Sequence, residues 1–257
     1  MNVVRHIGRM QLILRVASWF TIRAGARQRQ ARYMNDQCRG IVFHGIGEPR
    51  RALEPGEHRY WISEDRFHRC LDVVASLPDP SAVLISFDDG NASDHDIALP
   101  VLVEHGLKAD FFVLTGRIGQ QGSVTPDGLR ALHRAGMGVG SHGINHLNWR
   151  EVSADVLRAE LEGSRRGLAE ICGGAIDRAS VPFGRYNGRV VEAVRAAGYQ
   201  RLATNDGGAF SRDAFLVPRT NMRADMSDQD FRDLITGNER LSRRLRRFAG
   251  RVRRSFV

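Results

Sequence analysis

Cysteine is scarce in this chain. Cys38, Cys70 and Cys172 are an odd number without metal-type spacing. That argues against a disulfide scaffold or a zinc ribbon and fits three reduced thiols. Lysine is scarcer still: of 38 basic residues only Lys108 is not an arginine, a bias to which we attach no function. Long apolar runs are missing too. The best stretch, QLILRVASWFTI at 11–22, is broken by Arg15 and has no clean small-residue cleavage site behind it. It therefore reads neither as a membrane span, which needs about 18 uncharged apolar residues, nor as a standard signal peptide. Low-complexity tracts, internal repeats and Pro/Ser-rich linkers are also absent. What remains is 257 residues, 42% apolar and 26% charged, long enough to bury a substantial core.

The net charge of +9 is unevenly placed. Residues 1–40 and 238–257 each carry eight arginines against one acid, +7 apiece, so 41–237 is mildly acidic at −5. A nucleic-acid reader would carry its positive field on the folded face that does the reading, so none is expected as a partner. In the last segment Leu241, Leu245, Phe248, Val252 and Phe256 recur three and four apart among arginines. A basic amphipathic helix of this kind suits an anionic membrane surface; the competing reading packs its stripe on the domain. The expected organisation is a basic N-terminal extension (1–39), a catalytic domain (40–237) and a basic C-terminal helix (238–257). The expected location is the cytoplasm, with the basic ends able to hold the chain at the inner membrane face.

From residue 40 onward, short β-type runs alternate with helical patterns. The strands are expected at 41–45, 82–87, 109–114, 137–141, 179–183, 200–204 and 214–218. Helices are expected near 63–76, 94–105, 125–135, 153–171 and 187–197, with Ser63 and Ser153 as N-caps. This alternation predicts a parallel α/β domain, barrel or doubly wound; seven strands suit a barrel slightly smaller than the eightfold type.

Three motifs fall at the ends of those strands. ISFDDG ends in Asp88 and Asp89, adjacent carboxylates that repel unless a cation or a shared proton intervenes. Alternation along the strand lets the two hold different jobs. GSHGINH sets His142 and His146 four apart, a spacing that on a helical turn puts both rings on one face to chelate one ion. With an Asp from another strand end they form an Asp-His-His set with open positions, as in catalytic zinc or non-haem iron sites. VPFGRYN (181–187) carries Pro182 and Gly184, and such a loop can aim the Phe183 amide at an oxyanion, though it can equally be an ordinary turn. GMGVGSHG (136–143) looks like a nucleotide loop but lacks the strand–GxGxxG–helix order of one.

In this order the motifs resemble the polysaccharide deacetylase family, also called the NodB-homology or carbohydrate esterase 4 group. The resemblance spans roughly Ile41–Arg219 and includes DFFVL (110–114), AGMGVGSHGINH (135–146) and AAGYQRLAT (196–204). It implies an α/β fold, a distorted (β/α)7 barrel, and metal-dependent removal of acetyl groups from sugars. It implies Asp88 as general base, Asp89, His142 and His146 as ligands of a divalent metal, expected to be zinc, and the Phe183 amide as an oxyanion donor. The expected substrate is an acetylated glycan or a lipid-linked sugar. Hydrolysis of an O-acetyl ester or another C–N bond, and a catalytically silent membrane scaffold, are the alternatives.

Two departures from the family pattern stand out. No histidine follows His146, where many members take their general acid, and Ser180 stands where many carry an arginine. VFHGIG (42–47) resembles the opening segment of a permuted branch found among exopolysaccharide deacetylases, which makes His44 the expected acid in place of the late one. A structural histidine at a strand end is its competing reading. Arg219, in LVPR, is a possible orienter of Asp88, or else a surface ion pair.

Overall fold

The computed structural model describes residues 37–238; both basic ends, with the extension and the C-terminal helix expected there, lie outside the described residues. The strands are β1 (Gln37–Phe43), β2 (Gly45–Ile46), β3 (Trp61–Ile62), β4 (Val83–Asp89), β5 (Ala109–Val113), β6 (Gly138–Ser141), β7 (Arg178–Ser180), β8 (Arg201–Thr204), β9 (Ala209–Ser211) and β10 (Leu216–Asn221). β1, β4, β5, β6, β7, β8 and β10 pair in that order, all parallel. β10 then pairs with β1, Gly40 opposite Arg219, and the sheet closes into a seven-stranded barrel. β9 flanks β1, and β2 and β3 form a separate two-stranded sheet.

The expected helices form, with small shifts at their ends. Ser63 and Ser153 accept the backbone N–H of Arg66 and Val156, capping helices Glu64–Ala75 and Ala154–Cys172. The segment expected as one helix at 94–105 is instead a π-turn, Asp94–Ala98, followed by helix Leu99–Glu104. Pro100 has no N–H for the regular ladder, which accounts for the break. A helix at Asp228–Thr236, capped by Ser227, was not expected. β1 starts at Gln37, so the expected boundary after 39 falls inside a strand. Arg39 made that stretch read as part of the basic end, yet Cys38 and Gly40 are buried.

Outside the barrel, Phe43, Phe87 and Phe111 from β1, β4 and β5 stack in a row, with ring centroids 5.4 and 4.6 Å apart. Phe67 of helix Glu64–Ala75 meets Phe43 edge-on at 5.2 Å. Each such buried ring contributes roughly 1.5–3 kcal/mol. Alternation then turns Ser86 and Asp88 the other way, toward the barrel interior, where Arg219 reaches them. Gly40 makes room for that arginine: a Cβ there would lie 2.7 Å from Arg219 Cγ.

Candidate metal and catalytic site

Asp88 and Arg219 form the floor. Arg219 Nη1 donates to Asp88 Oδ1 at 2.7 Å and Nη2 to Oδ2 at 2.8 Å, with both side chains essentially inaccessible to water. Arg219 is thus no surface ion pair. Its Nη2 also meets Ser180 Oγ at 2.7 Å, and that hydroxyl donates to Asp88 Oδ2 at 3.1 Å. The small Ser180 leaves space on β7 for a guanidinium that arrives from β10. Burial pushes the Asp88 carboxyl up, but Arg219, and after it His142, more than offset this and hold it well below the usual carboxylate range.

Asp89 faces elsewhere. Its φ of 77° departs from strand geometry, and its Oδ1 lies 3.5 Å from His142 Nε2 and 3.7 Å from His146 Nε2. Among the described residues only Asp89, His146 and Phe183 combine a side chain with positive φ, and all three line one cavity. Backbone conformations that cost on the order of 1–3 kcal/mol each have gathered at one place.

The expected helical turn between the histidines is not there. Residues 142–148 are irregular, and the loop is shaped by partners rather than by its own helix. Buried Glu160, on helix Ala154–Cys172, accepts the N–H groups of Ile144 (2.7 Å) and Asn145 (3.2 Å) and the Asn145 side chain (2.8 Å). Gly143, at φ 89°, passes so near Glu160 that a Cβ would lie 2.7 Å from its carboxylate.

Each ring has its second nitrogen occupied. His142 Nδ1 lies 2.9 Å from the Ser180 carbonyl, and His146 Nδ1 lies 3.0 and 3.2 Å from the two oxygens of Glu54. Both partners only accept, so each Nδ1 carries a proton and each Nε2 is the nitrogen turned toward Asp89. Burial pushes His142 down to about 4, despite the raising effect of Asp88 and Asp89. Two ring nitrogens and a carboxylate therefore converge, and buried Asp89 Oδ1 has no hydrogen-bond partner. The three donor atoms lie within 4.8 Å of one another. A divalent cation relieves this convergence, and this donor set with open positions fits one.

The cavity above them, about 380 Å³, is also lined by His44, Glu54, Tyr60, Phe183 and Asn205. The His44 ring stacks on Tyr60 with centroids 4.9 Å apart, its Nδ1 buried without a partner. Its backbone carbonyl accepts from Asn91 Nδ2 at 3.3 Å. Phe183, at φ 58°, is half exposed and lies over His146 at 4.2 Å. The turn around it is closed by the amides of Gly184 and Arg185, not by that of Phe183.

All seven expected site residues thus surround one cavity or its floor. Glu54, Glu160, Asn91 and Tyr60 were missed. Glu160 had a signal, a carboxylate inside the buried stripe Leu157, Leu161, Ser164 and Leu168. Glu54 had none, since 47–56 has no periodicity.

Residues 76–202 match the polysaccharide deacetylase family. YxkH of Bacillus subtilis (strain 168), assigned by name to the polysaccharide deacetylases, is 27% identical over 206 residues, 74% of this chain and 73% of its own. Among solved structures, the fold is similar to that of Streptococcus pyogenes deacetylase PplD in complex with acetate. That likeness has a TM-score of 0.66 and 20% identity over 77% of this chain and 98% of that one. IcaB from Ammonifex degensii is similar with a TM-score of 0.60 and 19% identity, over 77% and 96% of the two chains.

Proposed function

This chain belongs to the polysaccharide deacetylase family of carbohydrate deacetylases, and from that premise we propose that it hydrolyses an N-acetyl group on an amino sugar of a glycan or lipid-linked precursor, with zinc as its ion. The observation that carries the metal dependence is the convergence of Asp89, His142 and His146, one donor atom from each, with the far nitrogen of both rings held by an acceptor. When bound there, a divalent ion polarises the acetyl carbonyl and lowers the pKa of a water.

The chain's own groups divide the remaining work. Asp88 takes the water proton. Three of its roughly four lone-pair sites are filled by Arg219 and Ser180, which leaves one on Oδ1 to receive it. Arg219 orients that carboxylate, in place of the arginine many relatives have at the position of Ser180. The Phe183 N–H meets the oxyanion that develops on the acetyl oxygen. His44, which lines the same cavity, gives its proton to the departing amine nitrogen. Water and the amide become acetate and a free amine, and the proton taken by Asp88 returns through solvent to His44.

We also place the protein in the cytoplasm, at the inner membrane face, held by its basic ends. The support is charge alone: each arginine near an anionic surface contributes on the order of 1 kcal/mol. Vesicle binding should be lost when 238–257 are deleted, with turnover of a soluble substrate unchanged.

The test of the main reading is metal analysis of the purified protein, then acetate release from N-acetylated and O-acetylated sugars. About one zinc per chain and release from N-acetyl substrates support it. Release from esters alone moves the assignment to O-deacetylation, and no acetate from either class points to a silent scaffold.

A further inference from the structure

We infer that Glu54 is a positioning residue of the metal site: it accepts the Nδ1 proton of His146 and so presents Nε2 of that ring beside Asp89 and His142. The inference rests on the metal reading above. The two histidines are held by different means. His142 is buried and bonded to a main-chain carbonyl, which no side-chain substitution removes. His146 sits at φ 56° on an irregular loop, outside any helix or strand that would fix its ring. Beside the tilted contact with the His142 ring, it is held by the Phe183 ring on one side and by both oxygens of Glu54.

Glu54 is itself anchored. Arg117 donates to its Oε1, and the Gly116 N–H donates to the Ile144 carbonyl, two residues before His146. Its own segment is pinned by Arg51, which pairs with Glu57 and donates to Asn91 Oδ1 at 3.0 Å. The carboxylate thus reaches the ligand from a segment more than thirty residues ahead of ISFDDG, and nothing in the motifs announces it. A carboxylate on the far nitrogen fixes ring and tautomer and raises the basicity of the nitrogen that binds the metal. Loss of such a partner commonly weakens metal affinity 10- to 100-fold.

The experiment compares wild type, Glu54→Ala, Glu54→Gln and Arg117→Met. Zinc affinity is measured by competition with a chelator, and the metal-free proteins are examined by 15N NMR of the histidine rings. Glu54→Ala should bind zinc about 10- to 100-fold more weakly and lose the fixed Nδ1–H state of His146. Glu54→Gln, which keeps an acceptor oxygen, should recover part of both. Arg117→Met, which leaves the contact in place, should lose only a few-fold. Zinc affinity in Glu54→Ala within twofold of wild type would overturn the inference, as would an equal loss in Arg117→Met, which would assign the effect to the loop. Wild type that binds no zinc would instead overturn the metal reading on which it stands. Thermal unfolding of the metal-free variants separates these outcomes from misfolding; should Glu54→Ala fail to fold, the NMR signature in Glu54→Gln decides.

Discussion

The central stretch that matches the family, 76–202, and the two flanks that close the barrel contribute different things to one cavity. The centre supplies Asp88, Asp89, His142, His146 and Phe183, the atoms that converge. The flanks supply Arg219, His44 and Glu54, groups that hold, charge or face those atoms. Pairing of β1 with β10 brings the two flanks together although some 170 residues of chain separate them. A donor set tolerates little change because ligand geometry is demanding, whereas a guanidinium or an acid can arrive from any strand that reaches the spot. Here Arg219 comes from β10 and meets both the Asp88 carboxylate and the Ser180 hydroxyl of β7.

The sharpest way to break this division is Arg219→Met. Removing one partner of a buried pair leaves an uncompensated charge and should destabilise the fold by about 3–5 kcal/mol at pH 7 in urea unfolding. The pH dependence should also invert. In the wild type the folded Asp88 is depressed, so its stabilisation is present above the unfolded value and lost as pH falls through the folded one. In Arg219→Met burial dominates and raises Asp88, so stability is present at low pH and falls as pH rises. Adding Asp88→Asn should restore stability without activity. A profile that keeps its wild-type slope would mean that Arg219 does not set the charge state of Asp88.

Within the centre, two substitutions should separate the adjacent carboxylates. Asp88→Asn should cut turnover by roughly 10²- to 10⁴-fold, the usual worth of an acid–base group, and leave zinc in place. Asp89→Asn, like His142→Ala, should lose zinc itself. If metal content falls equally in both, the carboxylates share one role. From the flank, His44→Ala should retain zinc, lose up to a similar factor in rate, and lack the alkaline limb of the pH–rate profile that a proton donor creates. A mutant with near-normal turnover would return His44 to a structural residue stacked on Tyr60.

How far the sequence was readable follows the same line. The barrel strands and most helices were legible because alternation and capping are local properties. The donor set was legible because strand ends and short spacing carry it, though His142 and His146 meet through a loop bent by Glu160 rather than on a helical turn. Arg219 was legible only as one of two readings, since burial of an arginine depends on Gly40 and Ser180, neighbours distant in sequence. Glu54 was invisible: its contact with His146 spans 92 positions and leaves no local pattern.

The smallest expected effect tests how heavily charged the centre is. Asp94, five residues past Asp89, is fully buried with Oδ1 unpartnered; burial first, then the charges of Asp89 and Asp88, raise its pKa well above the usual value. A raised folded value means stability that is present below the unfolded pKa and lost as pH rises through the folded one. Asp94→Asn keeps the shape and removes the titration, so it should stabilise the metal-free protein at pH 7 in urea unfolding. The gain should vanish near pH 3, where the carboxyl is neutral in both states. Zinc at Asp89 would cancel part of the repulsion, so the same substitution should gain less in the loaded protein. A gain independent of both pH and zinc would place its origin in packing of the π-turn, and the flanks would then be balancing less charge than the central carboxylates imply.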